Sequence, residues 1–244
     1  MRYSLDMKVT VLFLGVLVLS AGDLFAGYVL TYRLDRYSNE GVKTQRCVET
    51  NYIDVAKMRI ETVCQDPASQ SLSTVSIFRG DKNLLWQIDT TSRHYTEMTR
   101  SEVQKSRKGF EEAMRSTGGH SYRPTGKTEK IKSWTCTVYH HVFHETLADE
   151  FCVAEGELVF KGAGEAETSK RHLLEMLDPM AINPEEQNQL ADLAMGPSRF
   201  TLKEVNILLD QPAFIREFTE GRTAPLPPSV FELPKGATRN PAAP

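Results

Sequence analysis

From Lys127 to Phe160 the chain reads KTEKIKSWTCTVYHHVFHETLADEFCVAEGELVF, and this stretch limits the possible fold more than any other. Between Thr135 and His144, one face carries Cys136, Val138, His140, Val142 and His144. The other carries Thr135, Thr137, Tyr139, His141 and Phe143. Alternation of period two, rich in β-branched and aromatic residues and free of Gly and Pro, predicts a strand rather than a helix. After a connection at His144 to Asp149, Phe151, Val153 and Glu155 oppose Cys152, Ala154 and Gly156, which predicts the returning strand. Pairing centred on His144 sets Cys136 beside Cys152, within reach of a cross-strand disulfide.

That disulfide needs an oxidising compartment, and the N-terminus supplies the argument for one. Met1 to Lys8 carries Arg2 and Lys8, Val9 to Leu19 is almost wholly apolar, and small residues follow at Ser20, Ala21 and Gly22 and again at Ala26 and Gly27. This is the layout of a secretory signal peptide, and its apolar core is shorter than the roughly 17–25 residues of a spanning helix. Residues 1–22 are therefore expected to be a signal peptide and the mature chain to be periplasmic. In an exported chain, Cys47, Cys64, Cys136 and Cys152 are expected to pair locally, 47 with 64 and 136 with 152. Each closed loop contributes about 3 kcal/mol in the loop-entropy model. No C-x-x-C pair is present for redox work, and the spacings do not suit a zinc site.

The rest of the chain extends the same pattern. Tyr28 to Asp35 alternates as a first strand; Thr44 to Ile53 and Met58 to Cys64 follow as a hairpin turning near Asp54 and Val55. Leu72 to Phe78 comes after the break at Asp66-Pro67-Ala68, and Gly80-Asp81-Lys82-Asn83 is a turn. Leu84 to Ile88 and Arg93 to Met98 make another hairpin. Six short strands at such spacing predict a meandering antiparallel sheet. Thr99-Arg100-Ser101-Glu102 is a capping box that opens a helix with Val103, Phe110 and Met114 on its apolar face, ended by Gly118-Gly119. Gly162 to Gly164 reads as a flexible break and Ser169 to Leu177 as a short helix; Asn183-Pro184-Glu185-Glu186 starts another that runs to Met195. Residues 200–209 fit strand and helix periodicity alike, Ala213 to Phe218 reads as a short strand, and 237–244 as a flexible tail.

Tyr122-Arg123-Pro124-Thr125-Gly126-Lys127-Thr128-Glu129-Lys130-Ile131, followed by Trp134, Thr135, Cys136 and Tyr139, resembles the T-G-x-T-x-x-I-x-G-Y-x-C-x-x-Y hallmark of a secreted bacterial domain of unknown function. That domain is grouped with the LolA-like proteins, carriers and sensors of outer-membrane lipoproteins. Leu84 to Asp89 with Tyr95 to Met98, and Pro227 to Gly236, are similar to two further motifs of the family. Ser133-Trp134 departs from the family's Gly-Tyr, and the helical insert near 169–195 departs from its pattern. The resemblance implies an α+β fold, a curved antiparallel half-barrel sheet packed on helices, forming a single domain over residues 27–236. It implies no catalytic residues.

Composition bounds the functions. A chain of 244 residues with 40% hydrophobic content builds one sizeable core, and a net charge of −3 with interspersed signs gives no nucleic-acid footprint. In a strand, His140 and His144 lie about 13 Å apart, too far to share a metal. No nucleophile elbow or phosphate loop is present, so neither an enzyme nor a cofactor is expected. Two readings remain. The first is a monomeric, non-enzymatic periplasmic binder holding an acyl chain, lipid or lipopeptide against the concave sheet face, with Tyr28, Leu30, Tyr32, Trp86, Ile88, Val103, Phe110 and Met114 as its lining. The second is an envelope protein-interaction or sensory module with a packed core and no ligand.

Overall fold

The computed structural model describes residues 26–66, 69–102, 105, 120–143, 145–177 and 198–240. Twelve strands form one sheet in the order β12-β6-β5-β4-β3-β2-β1-β11-β10-β9-β8-β7. Two meanders make it. The first contains β1 (Ala26–Tyr37), β2 (Lys43–Asp54), β3 (Lys57–Asp66), β4 (Ser69–Arg79), β5 (Leu84–Asp89) and β6 (His94–Thr99). The second contains β7 (His120–Ile131), β8 (Trp134–Phe143), β9 (Thr146–Glu155), β10 (Arg199–Leu208) and β11 (Gln211–Pro225). They are joined where β1 runs antiparallel to β11, Ala26 opposite Pro225 and Arg36 opposite Phe214, with a bulge at Thr31/Tyr32. The final strand, β12 (Thr238–Arg239), adds to β6 in parallel.

Register decides what each face carries, because side chains alternate along a strand and directly paired residues point the same way. Tyr28 lies opposite Ile53, Ile53 opposite Met58, Met58 opposite Phe78 and Phe78 opposite Leu85. This row, with Leu30 and Tyr32, is one face. Val29, Tyr52, Arg59, Ile77 and Trp86 form the next row and point to the other.

The first face is covered by helix α1 (Ala163–Leu177). Its buried positions, Ala163, Ala166, Glu167, Lys170 and Leu173, recur at the i, i+3, i+4, i+7 spacing of a helix laid on a core. The 3-10 turn η1 (Gly156–Leu158) leads in, with Phe160 over Gly221; a Cβ at Gly221 would come within 2.6 Å of the Phe160 ring. Gly162 to Gly164, expected as a break, therefore sits at the start of this helix, which begins at Ala163.

The second face is covered by the C-terminal segment. After β11 the chain crosses it through η2 (Pro228–Phe231) before reaching β6. Phe231 is 1% exposed and packs with Val75, Ile77, Trp86 and Ile88. Leu226 lies over Gly27, where a Cβ would meet both Leu226 and the Ile53 carbonyl.

The expected half-barrel curled around helices is corrected. The sheet is open, with β7 and β12 at its two ends, and it is covered on both faces rather than hollow on one. Residues 200–208 resolve as strand, because β10 is held between β9 and β11, and Leu209 opens the turn that follows. The tail expected from 237 contributes β12. The capping box is made: Glu102 Oε2 accepts from the Thr99 amide at 2.7 Å, and Thr99 Oγ1 accepts from the Glu102 amide at 3.2 Å. Val103, Phe110 and Met114, and the helix expected at 183–195, lie outside the described residues.

Cys47 and Cys64 stand directly opposite one another on β2 and β3 and are disulfide-bonded, Cα to Cα 3.9 Å. Cys136 and Cys152 are bonded at 5.3 Å. Here the register differs from one centred on His144. Val138, not Cys136, faces Cys152, and a shift at His141/Val142 leaves Phe143 opposite Thr146. The bond is therefore diagonal across the hairpin.

Candidate functional site

The proposed lining residues are divided by the sheet. Leu30 and Tyr32 are buried beneath α1, with Tyr28 packed at their edge. Trp86 and Ile88 belong to the opposite face, beneath the C-terminal segment. Residues on opposite faces cannot line one groove.

The space under α1 is filled. Tyr32, Phe200 and Phe218 are each at most 1% exposed, with edge contacts from Tyr32 to Phe218 at 5.7 Å and from Phe200 to Phe218 at 4.8 Å. Phe160 stacks on Phe218 at 6.2 Å, and Trp134 approaches it at 5.5 Å. An acyl chain would have to displace these rings. An open hollow lies elsewhere, at the β5–β6 end, lined by Lys82, Asn83, Thr99, Arg100 and Ser101, well away from the proposed lining residues. The lipid-binding reading is thus corrected: the concave apolar site it requires is occupied by the protein's own side chains.

Beside the aromatic cluster lies a network of charges, buried on α1 and half-buried on the sheet. Arg216, from β11, sits with its guanidinium carbon 3.5 Å from the Tyr32 ring centroid and pairs with Glu49 at 2.6 Å and Glu204 at 3.8 Å. Asn51 donates to Glu49 at 2.9 Å. From α1, Lys170 pairs with Glu167 at 2.8 Å and lies 5.6 Å from the same Tyr32 ring. The α1 cation and the sheet cation therefore meet at one tyrosine. Among the described residues, the Tyr32 hydroxyl and the Asn51 side-chain oxygen are buried without a hydrogen-bond partner.

The electrostatics follow from burial and pairing. Burial pushes the Glu204 carboxyl above its ordinary value, against the pull of Arg216 and Lys170. For Glu49 burial acts in the same direction but is outweighed by Arg216 and the Asn51 hydrogen bond, so its carboxyl is held below the usual range. Burial raises the Tyr32 hydroxyl. Burial alone would discharge Lys170, but Glu167 keeps its ammonium favoured. Lys170 thus reaches the sheet at the Tyr32 ring, while its ion pair with Glu167 stays within α1.

A second polar group occupies the β8–β9 hairpin. His141 lies 2.7 Å from Asp149 and stacks on Tyr122 at 4.4 Å; Asn206 donates to Asp149 at 2.8 Å, and His140 lies 3.2 Å from Glu150. Among the described residues, no group of three or more His, Cys, Asp or Glu is arranged to hold a metal. Among those residues, too, no helix is long and apolar enough to cross a membrane.

Sequence reasoning missed Arg216, Glu49, Glu204, Glu167 and Lys170. The one available signal was the helical spacing of Ala163, Ala166, Glu167, Lys170 and Leu173, which was masked because two of the five carry charge.

No family model and no curated protein sequence matches the chain. Among solved structures, it is similar to PNGF-II at 12% identity and a TM-score of 0.38, over 89% of this chain and 31% of that one. It is also similar to the Pseudomonas aeruginosa MucA/MucB complex at 10% identity and a TM-score of 0.41, over 85% of this chain and 55% of that one. The chain thus spans about a third and about half of the chains it resembles. The open sheet, covered on both faces, corrects the expected LolA-like assignment.

Proposed function

We propose that this chain is a non-enzymatic protein-interaction module of the cell envelope, working through the outer surfaces of a rigid, two-sided sheet. The observation that carries the reading is the filled interior beneath α1, where five aromatic rings and a charge network leave the scaffold as the only service the core provides. The two disulfides support an exported, oxidising setting.

A contact surface is offered by one end of the sheet. Val42, Leu208 and Leu209 are 60%, 54% and 75% exposed, and their two turns adjoin, since Gly41 lies against the Gln211 side chain. Leu209 and Asp210 form a two-residue hairpin loop with φ of 52° and 60°. Leucine is disfavoured in that left-handed conformation, where Asn or Gly costs less. An exposed leucine kept in a strained turn fits a contact role better than a folding role.

The test is site-specific photo-crosslinking from position 209 in intact cells, followed by mass spectrometry. A discrete envelope protein linked from position 209, and not from exposed Thr91 on the β5–β6 turn, supports the module. Crosslinking to lipid alone contradicts it.

A further inference from the structure

The C-terminal cover of the second face is bound in the manner of a peptide ligand. From Leu226 to Leu233 it forms no ladder with the strands beneath it; among the described residues, the later strand pairing is the two-residue β12 on β6. Pro227 is in an extended, polyproline-like conformation, φ −64° and ψ 145°, and the segment buries one deep anchor, Phe231. Two arginines from the sheet read its main chain: Arg59 donates to the Val230 carbonyl at 3.2 Å, and Arg79 to the Phe231 carbonyl at 3.3 Å. Arg79 also grips the Glu232 carboxylate at 2.6 Å.

These readers do not depend on the segment for their positions. Arg59 is held by Glu61 at 2.6 Å, and Arg79 by Asp81 through two bonds of 2.8 and 2.7 Å. The floor between them is Val75, Ile77, Trp86 and Ile88, an apolar patch that needs an occupant. A pre-oriented pair of donors, an aromatic pocket and an extended proline-flanked occupant match the way folded domains recognise linear segments.

We propose that this face is a peptide-recognition groove closed in cis by residues 226–233. Its ligand in trans is an extended segment of an envelope protein with a proline-flanked aromatic residue followed directly by a carboxylate. The segment lies beyond the last large strand, so it can lift without moving any other element, and only β12 need be released. A tethered occupant competes at an effective concentration on the order of millimolar, so the groove opens only to a ligand delivered at comparable local concentration. This rests on the reading of the chain as an interaction module.

The test uses the full chain and a fluorescent peptide of residues 225–236, PLPPSVFELPKG. Wild type should bind it at least about tenfold more weakly than Phe231→Ala, whose tether no longer fills the pocket. Binding should change Trp86 fluorescence, and a peptide with its phenylalanine replaced by alanine should not bind. Should Phe231→Ala fail to fold, a full chain with a protease site between Pro225 and Leu226, cut after folding, should exchange its own segment for the labelled peptide. A folded Phe231→Ala chain that ignores the peptide, or a cut chain that never exchanges, overturns the proposal. So does a wild-type dimer in which Phe231 of one copy crosslinks to Trp86 of another, which would make the groove a self-exchange site. Failure here with crosslinking from position 209 intact sinks the groove alone. Lipid-only crosslinks with peptide exchange intact sink the module reading alone.

Discussion

Arg216 lies over the Tyr32 ring, its guanidinium carbon 3.5 Å from the centroid, while its Nη2 stands 2.6 Å from Glu49. The contact joins β11, β1 and β2 at the seam where the two meanders meet, and Lys170 brings α1 to the same ring. The seam is thus held by charge as well as by apolar packing.

Removing the cation should therefore cost far more than a surface ion pair. Arg216→Ala leaves the half-buried Glu49 and Glu204 without their main partner, and stability should fall by about 2–3 kcal/mol, between an exposed pair and a fully buried one. Arg216→Lys keeps the charge but loses the guanidinium contact with the ring, so its loss should be smaller. Urea unfolding of the two variants checks the order; equal losses would mean that charge plays no part.

The two carboxyls around Arg216 should respond to pH with opposite signs. Glu204 is raised on folding, so its contribution is fully present below its unfolded value and is lost as pH rises through the folded one. Glu49 is lowered, so its contribution is present above its unfolded value and is lost as pH falls through the folded one. Relative to wild type, Glu204→Gln should gain stability towards neutral pH. Glu49→Gln should lose stability at neutral pH and converge with wild type in acid. Thermal unfolding from about pH 2 to 8 reads both slopes.

How much of this was legible in the sequence depends on distance along the chain. The hairpins β2–β3, β5–β6 and β8–β9 follow from alternation and turn residues, which are local. The pairing of β1 with β11 joins residues nearly two hundred positions apart, and no local pattern announces it. It is this pairing that brings Arg216 to Tyr32 and Glu49. The division of Trp86 from Tyr32 was likewise hidden, because alternation says that two faces exist but not which strands share one. The C-terminal cover was unreadable for another reason. Pro227, Pro228 and Phe231 obey neither strand nor helix periodicity, and their meaning lies in the groove they occupy.

Leu209 tests the contact surface and the turn together. Leu209→Asn places a residue that tolerates φ near 52° in the hairpin loop, and stability should rise by about 1 kcal/mol. If the proposed contact surface holds a protein partner, the same change should weaken the crosslink from position 209. A variant that is stabilised yet binds as well as wild type would remove the functional reading of the strain.

The disulfides should act locally and separately. Serine at both Cys47 and Cys64, or at both Cys136 and Cys152, should each cost about 3 kcal/mol. A non-reducing peptide map should recover the 47–64 and 136–152 links and no other.

Native mass spectrometry of the chain, purified without detergent, tests most directly whether the interior beneath α1 is filled. The predicted result is a bare polypeptide with both disulfides intact, unchanged on titration with fatty acids, phospholipids or lipopeptides. A co-purifying acyl species of fixed stoichiometry, lost when Phe200 or Phe218 is altered in a folded variant, would contradict it.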